Sequence, residues 1–101
     1  MHYIIVTEFE SPEESTCKIM GLPMIDIHNL LLQLVSNNIP CNNLSKSIEA
    51  DASGDRILNL LCGPDFNYSV VSQSMAIETT AIGGRTVKVQ KLAWTMVNTK
   101  M

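Results

Sequence analysis

The sequence predicts an α+β domain. An N-terminal strand, three to four short helices packed on a small antiparallel sheet, and a C-terminal β-hairpin that completes this sheet are the expected parts. Residues 3–7 are β-branched and aromatic, which favours a strand. Met24–Ser36 is apolar around most of a helical turn, which predicts a core helix. Gly83 and Gly84 separate two β-rich segments, which is typical of a hairpin.

The helix over Met24–Ser36 is expected to organise the fold. Apolar side chains cover about 220° of its circumference, so other elements should surround it. The narrow polar strip consists of Asp26, Asn29, Gln33 and Ser36. His28 falls inside the apolar arc, and no metal-ligating residue stands at a suitable spacing. A hydrogen-bonded core or interface histidine is therefore preferred over a general base or a metal ligand.

Three weaker helices complete the predicted set. Ser11, Pro12 and Glu14 form a helix start signal, and Gly21 would end that helix. Asparagines at 42 and 43 predict a helix over residues 44–50. Residues 54–62 have one apolar face and favour a helix, with a buried strand as the alternative. Residues 65–74 fit either structure, and a strand is preferred from Met75 onward.

Length and composition indicate one folded domain over residues 1–101. The chain is 46% hydrophobic and 17% charged, which is typical of a globular protein. No apolar run approaches the ~20 residues that span a bilayer, and the N-terminus lacks the basic region of a signal peptide. The expected location is the cytoplasm, with no membrane partner.

No residue pattern indicates catalysis, a cofactor or a metal site. Cys17, Cys41 and Cys62 are odd in number and lack C-x-x-C spacing, so free thiols are expected. Cys62 would end a helix, where the dipole disfavours a thiolate, and no base is placed to activate Cys17. The glycine pair lacks the Lys-Ser or Lys-Thr of a phosphate loop. The protein is therefore predicted not to be an enzyme.

A small regulatory or inhibitory protein-binding module remains by elimination. The acidic residues Glu8, Glu10, Glu13 and Glu14 are the candidate contacts for a basic protein partner. Glutamates at a helix start are also ordinary residues that match the helix dipole. The short acidic format would suit an inhibitor encoded by a phage or another mobile element. An unpaired outer strand of the hairpin would also allow a homodimer.

Two other functions compete with this prediction. The predicted order of three helices and a hairpin matches a winged helix, with Arg56, Arg85, Lys88 and Lys91 as DNA contacts. The net charge of −3 argues against nucleic acid as a partner. The basic C-terminal residues could instead neutralise the acidic N-terminus, with Glu8 and Glu10 beside Lys88 and Lys91. The third candidate is a small-ligand sensor with a loop between residues 8 and 21 that closes over a metabolite.

Overall fold

The computed structural model describes residues 1–10 and 14–100, with the backbone alone at positions 78, 80, 82 and 87. These residues form one six-stranded sheet and two helices. In chain order the elements are β1 (His2–Glu10), β2 (Ser15–Met20), α1 (Met24–Ser36), β3 (Cys41–Asn43), β4 (Ser47–Ala50), α2 (Gly54–Leu61), β5 (Ser69–Ile82) and β6 (Arg85–Asn98). Across the sheet the strand order is β3-β4-β2-β1-β6-β5, and each neighbouring pair is antiparallel.

Strand β1 lies in the interior of the sheet between β2 and β6. Its side chains alternate between the two faces, as in any strand. Ile4 and Val6 are buried on one side, which we call the covered face, whereas Tyr3, Ile5 and Phe9 are exposed on the other, the open face. The two helices therefore pack on one face of the sheet.

A single hydrophobic core fills the space between the covered face and the helices. The fully buried helical side chains are Leu30 and Leu34 of α1 and Ile57 and Leu61 of α2. They join the buried residues of β1 and the aromatic residues Phe66, Tyr68 and Trp94 in one cluster. Helix α2 packs on β1 and β2, and α1 contacts the edge strand β3.

The C-terminal hairpin is the longest element of the fold. Strands β5 and β6 contain 14 residues each, which corresponds to about 46 Å at ~3.3 Å per residue. The longest dimension of the molecule is 47 Å. Gly83 (φ 58°) and Gly84 (φ 80°) form the turn, and such positive φ angles are those of a type I′ hairpin turn. We call residues 73–92 the arm.

The structure confirms four sequence predictions. Residues 3–7 lie in β1, and α1 spans Met24–Ser36 as predicted. The predicted helix at residues 54–62 is α2, which ends one residue earlier, at Leu61. The hairpin turns at the two glycines, and its C-terminal end enters the core, where Trp94, Met96 and Val97 are buried.

The predicted α+β fold class is wrong, because the chain is mostly sheet and its described residues form two helices rather than three to four. The segment before Gly21 is β2, and residues 44–50 contain β4. In both segments the buried apolar residues recur every second position, as Cys17 and Ile19 do in β2 and Ile48 and Ala50 do in β4. Ser11 and Pro12 of the helix start signal lie outside the described residues.

The prediction that other elements surround α1 is also wrong. Only Leu30 and Leu34 of this helix are buried, whereas Met24, Ile25 and Val35 are exposed. His28 is exposed as well, so it is not a core histidine. The physical reason is that a helix packed on one sheet face buries one side only, and no third layer covers α1 within residues 1–10 and 14–100.

No helix of the described residues is both long and apolar enough to cross a membrane.

We expect truncations of two α1 leucines to differ sharply in their effect on stability. Leu30 is 0% exposed, so Leu30→Ala should lower the free energy of unfolding by about 2–5 kcal/mol. Leu32 is 58% exposed, and Leu32→Ala should change it by no more than ~0.5 kcal/mol. Urea denaturation followed by circular dichroism measures both values. Equal losses for the two variants would contradict the one-sided packing of α1.

Candidate functional site

A surface cavity of about 340 Å³ lies where the arm joins the body of the sheet. It is lined by Glu8 and Glu10 of β1, Ser15 of β2, Ser53 and Asp55 at the start of α2, Gln73 of β5, and Leu92 and Trp94 of β6. Three of these eight side chains are acidic and none is basic. We call this cavity the acidic pocket.

Strand pairing brings these residues together from distant parts of the chain. Alternation along β1 places Glu8 and Glu10 on the covered face, in line with Ile4 and Val6. Across the sheet, Glu8 pairs with Leu92 of β6 and with Cys17 of β2. The pocket therefore occupies the part of the covered face that the hydrophobic core leaves open.

Glu8 has a structural role at the wall of the pocket. It is only 6% exposed, and its carboxylate Oε2 accepts a hydrogen bond from the backbone N–H of Gly54, the first residue of α2. Ser53 occupies the N-cap position of α2, but its side chain makes no capping hydrogen bond. Glu8 thus supplies the acceptor that a free helix N-terminus requires, from 46 residues away in the sequence.

Gly54 allows Trp94 to lie directly against the start of α2. A Cβ atom at position 54 would come within 2.5 Å of Trp94 Cη2 and 2.8 Å of Cζ3, which are prohibitively short contacts. Trp94 is mostly buried and is the only tryptophan of the chain. The indole therefore forms a fixed apolar wall beside the carboxylates.

Cys17, which pairs with Glu8 in the sheet, is unsuited to nucleophilic chemistry. It is fully buried. Burial, together with the negative charge of Glu8, raises the pKa of its thiol to about 12. The thiolate is the reactive species of cysteine, so Cys17 is inert at neutral pH. Among the cysteines, Cys62 is the one that is exposed.

The structure brings together two of the four predicted acidic contacts. Glu10 is exposed at the mouth of the acidic pocket and Glu8 is buried in its wall. Glu14 is exposed at the start of β2 but does not line the pocket. Glu13 lies outside the described residues.

The predicted DNA contacts do not form one surface patch. Arg56 lines a cleft with Asn37, Ile39, Asn59 and Leu60, whereas Arg85, Lys88 and Lys91 lie along β6. The helix order of a winged helix is absent, because residues 44–50 contain β4. Likewise, most of the segment predicted to be a ligand-closing loop between residues 8 and 21 is sheet, in β1 and β2.

The register does not place Glu8 and Glu10 beside Lys88 and Lys91, as the sequence led us to expect. Strand β1 does join the hairpin, but Glu8 faces Leu92 and Glu10 faces Gln90 in the register. Lys91 instead lies on the open face opposite Phe9, with its Nζ 5.6 Å from the centre of the phenyl ring. Lys91 therefore makes a cation–π contact, and Glu10 remains available in the pocket.

Most of the pocket lining could not be identified from sequence patterns. Asp55, Gln73 and Trp94 come from three separate elements. The one usable signal is the alternation of β1. Glu8 and Glu10 stand an even number of positions after Ile4 and Val6, so all four side chains lie on the same face of the strand.

Among residues 1–10 and 14–100, no group of three His, Cys, Asp or Glu side chains is placed to hold a metal ion. Neither a scan against models of known protein families nor a search of curated proteins finds a match to the chain.

We expect Glu8, and not Ser53, to cap α2. Glu8→Ala leaves the buried N–H of Gly54 without its acceptor and should lower the free energy of unfolding by about 1–3 kcal/mol. Ser53→Ala should cost less than ~0.5 kcal/mol, although a serine that caps a helix typically contributes ~1 kcal/mol. Urea denaturation of both variants tests this. A larger loss for Ser53→Ala would show that the local residue is the cap.

The cysteines should differ in their rate of alkylation. In native protein at mildly alkaline pH, iodoacetamide should modify Cys62 and leave Cys17 unmodified until a denaturant is added. Peptide mass spectrometry measures the labelling at each site. Rapid labelling of Cys17 in the folded protein would contradict its burial.

Stability should also fall at high pH. The pKa of Cys17 rises from 9.0 to about 12 on folding, so between these values the folded state keeps a proton that the unfolded state loses. Tyr68 acts in the same direction, since burial and then the negative charge of Asp26 raise its pKa from 10.0 to about 12. Cys17→Ala should reduce the decline without abolishing it. Urea midpoints measured on both sides of pH 9 test this, and equal declines in the two proteins would exclude a contribution from Cys17.

Proposed function

We propose that the protein is a non-catalytic protein-binding module that regulates or inhibits its partner, and that the acidic pocket receives a basic side chain of this partner. The observation that carries the proposal is the lining of the pocket. Glu8, Glu10 and Asp55 meet there beside an aromatic wall, and none of the described lining side chains is basic.

The chemistry of the pocket favours a lysine or arginine side chain. Carboxylates form charge-assisted hydrogen bonds with ammonium and guanidinium groups. The indole of Trp94 and the side chain of Leu92 provide apolar surface for the methylene groups of a lysine or arginine. Aromatic rings also attract cations directly. Ser15 and Gln73 add hydrogen-bonding groups at the rim.

The open mouth of the pocket favours a macromolecule over a free metabolite. Glu10, Asp55 and Gln73 are all exposed at the mouth. Small-molecule sites typically bury most of the ligand surface. A side chain that enters from a protein surface needs no such enclosure, because the surface of the partner can contact the residues around the pocket.

The first test uses Trp94 as a reporter of pocket occupancy. Titration with N-acetylargininamide or N-acetyllysinamide should change the tryptophan fluorescence to saturation, whereas N-acetylglutaminamide should not. Added salt should weaken the response, since it depends on charge. The same response to the neutral compound would contradict recognition of a basic group.

A matched pair of variants separates the pocket from general surface charge. The double variant Glu10→Gln/Asp55→Asn keeps the shape of the lining and removes two charges, and it should lose the response to the cationic compounds by at least about tenfold. Glu49→Gln removes an acidic side chain from the open face of β4, opposite Lys18, and should behave as the wild type. Circular dichroism confirms that each variant is folded.

The second test addresses the partner itself. Wild-type protein, the pocket double variant and Glu49→Gln are immobilised and exposed to lysate of the source cells, and bound proteins are identified by mass spectrometry. A protein retained by wild type and Glu49→Gln but lost by the pocket variant would be the expected partner. Identical captures by all three would overturn the role of the pocket.

A further inference from the structure

Strand β5 forms a long unpaired edge of the sheet. It is the last strand in the order β3-β4-β2-β1-β6-β5, and among residues 1–10 and 14–100 no strand pairs with its outer side. Its sequence, SVVSQSMAIETTAI, contains no proline, lysine or arginine and only one charged residue, Glu78. The one irregularity is a bulge between Val70 and Ser72, near the start of the strand.

Natural proteins protect such edges with prolines, lysines, bulges or a covering element. Beyond the bulge, none of these protects residues 72–82 within the part of the chain that the structure describes. Met75 and Ile77 are 62% and 64% exposed. A long edge that carries a single charged residue, Glu78, and exposes Met75 and Ile77 has the properties of a strand-pairing surface.

We infer that two copies of this chain pair through β5 in antiparallel fashion, with the two-fold axis at Ala76. In this register Met75 of each copy faces Ile77 of the other, so both exposed apolar side chains become paired across the interface. Position 78 falls opposite Ser74, which keeps the single acidic residue of each strand away from its equivalent. A second copy therefore fits the edge without like-charge contact.

The backbone pattern agrees with this register. Ile82 pairs with Arg85 at the two-residue turn, where the carbonyl of the first residue of a turn faces the N–H of the fourth. From there successive residues of β5 direct their backbone N–H and C=O groups alternately towards β6 and away from it. The residues with odd numbers direct these groups away from β6. In the inferred register odd positions face odd positions, so these free groups become partners across the interface.

The interface is distinct from the acidic pocket. Pairing uses the outer backbone edge of β5, whereas the pocket is lined from the covered face, where Gln73 is the one lining residue from β5 among the described side chains. The inference therefore does not depend on the proposed function, and either can fail alone.

Sedimentation equilibrium of the wild type and two lysine variants tests the dimer. Ile77→Lys should raise the Kd of the dimer by about tenfold or more, because the two-fold axis places two new lysines, one from each copy, in the interface. Leu32→Lys is the matched control on α1, where an equally exposed leucine is replaced far from β5 in the sequence, and it should leave the Kd unchanged. A monomeric wild type at all concentrations, or equal weakening by both variants, would overturn the inference.

Cysteine cross-linking tests the register. In a Cys62→Ser background, Ala76→Cys should oxidise to a disulfide-linked dimer, because position 76 faces itself at a Cα separation of about 4.5 Å in a non-hydrogen-bonded pair. Ser74→Cys should not, since its equivalents lie about 13 Å apart along the strands, four residues at ~3.3 Å each. Non-reducing electrophoresis distinguishes them. Cross-linking of Ser74→Cys in preference to Ala76→Cys would exclude this register.

Discussion

The fold depends on the partial coverage of a large sheet by two small helices. Helix α1 has 13 residues and α2 has eight, which gives lengths of about 20 and 12 Å. The hairpin strands extend about 46 Å. The helices can therefore bury one patch of one face, centred on Ile4 and Val6. The open face, the arm and the outer side of α1 are exposed as a direct consequence.

Glu8 links this packing to the candidate site. It continues the inward-facing series of Ile4 and Val6 at the point where the hydrophobic core ends. A carboxyl group so buried needs a hydrogen-bond donor, and the N–H of Gly54 at the start of α2 supplies one. The hydrogen bond fixes α2 on β1 and brings Asp55 to the pocket. The acidic pocket is thus positioned by an interaction that also stabilises the fold.

The sequence predicted elements well where local signals were strong and agreed. The periodicity of Met24–Ser36 defined α1 to the residue, and the glycine pair defined the hairpin turn. The prediction from sequence failed at β2 and β4, where the alternation of buried and exposed residues covers only six and four residues. At that length a start signal or an i, i+4 apolar pair gives an equally good helical pattern.

Long-range features were less accessible to prediction than local ones. The apolar stripe of α1 gives its amphipathic character but not the extent of its burial, because burial depends on how many layers pack against it. Glu8 was identified as a surface contact from its charge, whereas its position in β1, two residues after Val6, places it on the covered face. The lining of the pocket required the registers of β1 with β2 and β6, which no local pattern specifies.

Pairing through β5 would place the two acidic pockets in a defined relationship. When two identical strands pair antiparallel at the edge of a sheet, the two-fold axis runs perpendicular to the sheet, so both covered faces lie on the same side. Two six-stranded sheets would then continue as one, with an acidic pocket on each half. A partner with two basic sites at matching spacing would bind both at once, and the second contact would be intramolecular. Weak recognition of a single lysine or arginine by Glu10 and Asp55 is therefore compatible with strong binding by the dimer.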